Sequence, residues 1–96
     1  MANNTVTVHL EIIGLVQGVG YRESMRAVAA AVGVTGWVRN RANGSVEAMV
    51  QGDEPDVERV IAWCHSGPPN AHVRLVEVHR IETGETLSGF TRRPSA

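Results

Sequence analysis

The chain contains no lysine: all nine of its Lys/Arg residues are arginine. That absence excludes lysine Schiff-base chemistry and a Walker-type phosphate loop, whose motif requires a lysine. A single cysteine, Cys64, excludes an intramolecular disulfide. Aromatic residues are scarce at 4%, which argues against the stacking sheet face of an RNA-recognition domain. The net charge is only −1, so no overall field draws the chain to nucleic acid or to an anionic membrane, and any bound anion must be held by a local site. No apolar run approaches the roughly 18–20 residues that span a bilayer. The N-terminal MANNTVTVH has neither the basic start nor the apolar stretch of a secretory leader. These absences lead to the expectation of a cytoplasmic protein without nucleic-acid or membrane partners, with a monomer as the default.

What is present is ordinary globular material, 43% hydrophobic and 20% charged over 96 residues, which suits one domain spanning residues 1–96. Thr5 to Ile13 alternates, with Val6, Val8, Leu10 and Ile12 on one side, and predicts a strand. Tyr21, Met25, Val28, Ala29 and Val32 recur at helical spacing, and Gly33 supplies a stop. Gly36 to Arg41 and Ser45 to Val50 predict two strands turning at Asn43-Gly44. Asp53 is placed to cap a second helix with Pro55 in its first turn and Val57, Val60, Ile61 and Cys64 along its apolar stripe. After the break at Gly67 to Asn70, Val73 to Ile81 predicts a fourth strand. Its apolar residues change parity between Leu75 and Val76, which calls either for a bulge or for partial cover on both faces. A short last strand is expected around Phe90. The order β-α-β-β-α-β predicts an α+β, ferredoxin-like sandwich: an antiparallel sheet with both helices on one face. That fold serves many functions, so function must come from a site.

The candidate site is the stretch GLVQGVGYR, Gly14 to Arg22, between the first strand and the first helix. A glycine-rich turn into a helix leaves backbone N–H groups unpaired and open to a phosphate-sized anion. Arg22 is the telling residue, because a cation in a first helical turn opposes the helix dipole by about 0.3–1 kcal/mol. With an anion present, the same guanidinium becomes a bidentate grip. On its own, such a loop is more often a plain turn, and the dinucleotide-binding pattern fails because Glu23 stands where a third glycine is needed.

A second stretch adds to it: GWVRNRANGSVEAMVQG, Gly36 to Gly52. Taken with IIGLVQGVGYR, it closely resembles the acylphosphatase family, which carries a glycine loop ending in arginine and a strand bearing an aromatic-V-x-N motif followed by G-x-V. The resemblance extends to Gly67-Pro68, Ala71 to Val78, and Gly89-Phe90. It implies that Gln17, Gly18, Val19, Gly20, Tyr21 and Arg22 bind phosphate, that Arg22 and Asn40 are the catalytic residues, and that Asn40 positions the attacking water. The implied substrate is a small-molecule acyl phosphate, with inorganic phosphate as product and competitive ligand and with no metal or other cofactor. Tyr21 stands where phenylalanine is commoner and Leu15 where the family often has a basic residue, and these changes bear on the rim of the site.

The two catalytic candidates are consistent with such a substrate. Arg22 stays protonated and Asn40 does not ionise, so neither can serve as a conventional general acid or base. An acyl phosphate leaves as a carboxylate that needs no proton, and phosphoryl transfer depends chiefly on positioning and charge stabilisation. Without the resemblance, Asn40 is simply a residue near a hairpin turn. His9, His65, His72 and His79 follow no zinc-ligand spacing. Cys64 and His65 point to different faces of a helix, Trp37 and Tyr21 suit packing, and Arg39 and Arg41 suit solvent. A non-catalytic phosphate- or anion-sensing module is the rival reading, and it has no use for a positioned water.

Overall fold

Alternation at the start of the chain produces β1 (Thr5–Leu15) in the computed structural model, which describes residues 5–96. The leader reading of MANNTVTVH and the first residues of the 1–96 domain lie partly outside that range. Val8, Leu10 and Ile12 are buried on one side of β1. The strand runs past Ile13 because Gly14 and Leu15 still pair across the sheet. The glycine loop feeds α1 (Tyr21–Val32), which buries Tyr21, Met25 and Ala29 and ends where Gly33 donates its N–H to the Ala29 carbonyl.

β2 (Thr35–Asn40) and β3 (Val46–Asp53) form the expected hairpin. At its turn the Gly44 N–H donates to the Arg41 carbonyl and the Ser45 N–H to Asn43 Oδ1. β3 runs directly into α2 (Glu54–Ser66), with Pro55 in the first turn. Asp53 occupies the N-cap position but makes no side-chain capping bond; as the last residue of β3 it is paired with Thr5. β4 (His72–Arg80) and β5 (Phe90–Arg92) complete the sheet.

The strand order is β4-β1-β3-β2-β5. Four strands are antiparallel as expected, but β5 lies parallel to β2, so the sheet is mixed rather than wholly antiparallel. β4 ends at the margin where β2 begins; the chain crosses along that margin and joins the far edge beside Gly36, which sets the direction of β5. The crossing is held by Gln51, whose side chain donates to Thr7 Oγ1 and the Glu85 carbonyl and accepts from the Leu87 N–H.

The two open readings of β4 resolve in favour of a bulge. Ile13 pairs with Leu75 and Gly14 with Val73, which leaves Arg74 as the extra residue. Val73 and Val76 thereby turn to the same side, and Val76 is buried while Leu75 is 48% exposed. A Cβ on Gly14 would sit 2.2 Å from the His72 carbonyl oxygen, so the bulge needs glycine opposite it.

Both helices cover one face of the sheet, and the core lies between them and β1, β3 and β2. Full burial of each Val, Leu, Ile or Met there is worth roughly 1.5–3 kcal/mol. The opposite face carries buried polar groups, Thr7, Glu47 and Gln51.

Candidate active site

Gln17 to Gly20 join β1 to α1, and both Gly18 (φ 74°) and Gly20 (φ 80°) adopt left-handed backbone that a Cβ disfavours. The Ser24 N–H returns to the Gly20 carbonyl to start the helix. Among the described residues, no hydrogen bond engages the backbone N–H groups from Gln17 to Arg22. Free donors at a helix N-terminus suit an anion, since the donors and the helix dipole act together, and make this loop a candidate anion cradle.

Arg22 is the second residue of α1 and is half-buried. Asn40 ends β2 and is also half-buried. Among the described residues, neither side chain makes a hydrogen bond or ion pair, and no buried side-chain nitrogen or oxygen lacks a partner, so the polar ends of both reach solvent.

The sheet explains how these residues come to the same margin. β1 and β2 are both antiparallel to β3, so they run parallel to each other and their C-terminal ends lie on one side. Ile12, Val46 and Asn40 share one rung, which sets Asn40 about 10 Å from Ile12 across the sheet. The Gln17 side chain spans the remaining distance. Its amide nitrogen donates to the Arg41 and Ser45 carbonyls, at 2.8 Å each, and so ties the loop to the hairpin next to Asn40. Only the backbone N–H of Gln17 is left for an anion.

Two further contacts steady this margin. The Ala96 N–H donates to the Asn40 carbonyl and the Ala42 N–H to the Ala96 carbonyl, so the last residues run alongside β2 as far as Asn40. Glu23, a carboxylate in the first turn of α1, accepts from Arg92 at 2.9 Å and from Arg26 at 3.1 Å. The bonds from Arg92 and Arg26 hold its carboxyl below the ordinary range, and both guanidiniums offset its repulsion of an anion in the cradle.

Tyr21 belongs to the core by its side chain. Its ring is buried against Trp63, at 5.1 Å between centroids, and its hydroxyl donates to the Cys64 carbonyl at 2.7 Å. Burial pushes the phenol above its usual pKa and the Cys64 thiol up to about 12, which leaves an inert, packed thiol. Arg39 is not simply solvated: it donates to Glu47 at 2.6 Å on the face away from the helices. Trp37 packs on that face between the Arg39 and Arg93 guanidiniums, 5.1 and 4.5 Å from its ring centre. Gln17 as a tie and Arg92 as a partner of Glu23 have no signal in the sequence, because each bond depends on the sheet order.

A ferredoxin-like sandwich with an anion-cradling turn between its first strand and first helix is the class of protein that these features define. The acylphosphatase family model matches residues 8–92. An acylphosphatase of Thiobacillus denitrificans is 55% identical over 87 residues, covering 91% of this chain and 96% of the relative. One of Thermococcus kodakarensis is 53% identical over 85 residues, covering 88% and 92%. The structure of an acylphosphatase from Coxiella burnetii superposes with a TM-score of 0.89 at 37% identity, covering 94% of each chain. The chain belongs to the acylphosphatase family.

Proposed function

We propose that the chain hydrolyses the carboxyl-phosphate bond of small acyl phosphates, releasing a carboxylate and inorganic phosphate. The phosphoryl group sits in the N–H groups of Gln17, Gly18, Val19, Gly20, Tyr21 and Arg22, gripped by the Arg22 guanidinium. The Asn40 amide orients the water. The water oxygen attacks phosphorus, the bond from phosphorus to the acyl oxygen breaks, and its electron pair leaves with the carboxylate. Neither Arg22 nor Asn40 can take the proton of the water, which passes to a phosphate oxygen of the substrate. Inorganic phosphate, the product, competes for the same cradle. The observation that carries this reading is the run of N–H groups ending at Arg22 that, like its guanidinium, have no partner among the described residues.

We read residues 1–96 as one domain acting as a monomer in the cytoplasm. The radius of gyration, 12.5 Å, equals the value of about 12.5 Å that scaling gives for one compact body of this length. Among the described residues, no helix is long and apolar enough to cross a membrane.

The test is phosphate release from acetyl phosphate with a chelator present. An arginine at the transferring group contributes on the order of 10³–10⁵ in rate, so Arg22→Ala is expected to be nearly inactive. Asn40→Ala is expected to lose at least about 10²–10³. Normal turnover by Arg22→Ala, or a folded Asn40→Ala within about tenfold of wild type, overturns the assignment of that residue. A wild type that binds phosphate but releases none from any acyl phosphate is an anion-sensing module instead.

A further inference from the structure

The sheet face away from the helices pairs like with like. β1 presents His9 and Glu11 to that face, because Val8, Leu10 and Ile12 turn to the helices. β4 runs antiparallel beside it and sets His79 opposite His9 and Glu77 opposite Glu11. Register partners share a face, so these side chains stand at the corners of a rectangle, about 5 Å across the strands and about 7 Å along them. The two imidazole rings are 6.5 Å apart, centre to centre. Glu47 extends the carboxylate rung on the far side of Glu11.

Carboxylates directly opposite one another destabilise a strand pair. The arginines nearby serve other partners: Arg39 bonds to Glu47 at 2.6 Å and Arg80 to Glu54 at 2.8 Å. Glu77 and His79 are exposed, and among the described residues neither side chain makes a hydrogen bond or ion pair. Glu11 accepts from Ser45 and Asn43 through Oε2, which leaves Oε1. His9 is held from behind. Its Nε2 donates to Glu47 Oε2 at 2.6 Å, while Arg39 grips the other carboxylate oxygen. A carboxylate on one ring nitrogen is the usual support of a metal-bound histidine, since it sets the tautomer and leaves the lone pair on the other nitrogen, here Nδ1. The Glu47 side chain is only 8% exposed, so this support is built into the sheet.

We propose that His9, His79, Glu11 and Glu77 form a site for a divalent transition-metal ion that favours a flat set of two nitrogens and two oxygens, Cu(II) above Ni(II). Tetragonal nitrogen–oxygen coordination is the preference of these ions, and Cu(II) heads the affinity order for such donors. As they stand, no three of these groups meet at one point among the described residues. His79 and Glu77 turn inward through solvent to close on the ion. The site lies across the sheet from α1, which carries Arg22, and does not rest on the proposed activity.

The test is calorimetric titration with Cu(II) in a non-coordinating buffer, followed by electron paramagnetic resonance of the loaded protein. Wild type is expected to bind one tight equivalent through two nitrogen donors. Losing a supporting partner of a metal ligand costs about 10–100-fold in affinity, and losing a ligand costs no less, so His79→Ala is expected to bind at least that much more weakly and through one nitrogen. Glu77→Gln is expected to weaken binding by roughly tenfold. His72→Ala, at the other end of β4, is expected to bind as wild type does. Binding by His79→Ala or Glu77→Gln equal to that of wild type, or an equal loss in His72→Ala, overturns the site. So does displacement of the ion by an excess of Mg(II), which would reduce it to carboxylates alone, and so does the lack of a tight equivalent in wild type.

Discussion

At the scale of single residues, position 21 separates what a backbone does from what a side chain does. The Tyr21 N–H is one of the free donors of the cradle, while its hydroxyl reaches into the core and bonds the Cys64 carbonyl in the last turns of α2. Tyr21→Phe leaves that buried carbonyl without this donor, at a cost of about 1–3 kcal/mol. The backbone of the loop is untouched, so kcat/KM is expected to stay within roughly twofold of wild type. Urea denaturation and steady-state kinetics on the same preparation check both halves; a fall in activity without a loss of stability would place the hydroxyl at the reacting group. The left-handed backbone of Gly18 and Gly20 and the place of Arg22 in the first turn of α1 were legible at this scale, because both are local features. Asn40 was not legible from its surroundings in the chain. It stands out only by resemblance or once its strand is seen to end at the same margin as β1.

At the scale of elements, the site depends on two pieces that are far apart in sequence, the β1–α1 loop and the β2–β3 hairpin. Gln17 joins them across 24 and 28 positions through hydrogen bonds to two backbone carbonyls. Because its side chain is spent on the hairpin, Gln17→Ala is expected to leave the cradle donors in place but loosen the alignment of Asn40 with phosphorus. Misplacement by about 1 Å can cost on the order of 10²-fold, so kcat is expected to fall by roughly 10–10²-fold. Inhibition by inorganic phosphate, which needs no water in line, is expected to change less than about threefold. A parallel loss of turnover and phosphate affinity would mean that the side chain shapes the cradle itself. Both helices and β1 to β3 were legible as patterned segments, β4 as a β-branched run of broken parity, and β5 only as a short last strand expected around Phe90. The direction of β5 and the Glu23–Arg92 bond, made across 69 positions, were not, because they follow from where the crossing of residues 81–89 meets the sheet.

At the scale of the whole molecule, the cradle exists only when the fold does. Unfolded, Gly18 and Gly20 sample a wide range of backbone conformations and the N–H groups from Gln17 to Arg22 are hydrated separately; folded, they are fixed at the start of α1 with the Arg22 guanidinium, which has no partner among the described residues. A ligand that binds only the folded chain stabilises it by RT ln(1 + [L]/Kd), about 2.7 kcal/mol at a hundredfold excess over Kd. In a domain of this size each kcal/mol moves Tm by about 4–8 °C, so phosphate at that excess is expected to raise Tm on the order of 10–20 °C. Phosphate also strengthens apolar burial in proteins generally, and the decisive comparison is therefore between variants rather than between salts. Scanning calorimetry of wild type and Arg22→Ala, in phosphate and in chloride of equal ionic strength, separates the two effects. Wild type is expected to gain most of its rise from phosphate alone, and Arg22→Ala to keep only the general salt component. An equal rise in both proteins would leave Arg22 without an anion to hold and reduce the loop to a turn between a strand and a helix.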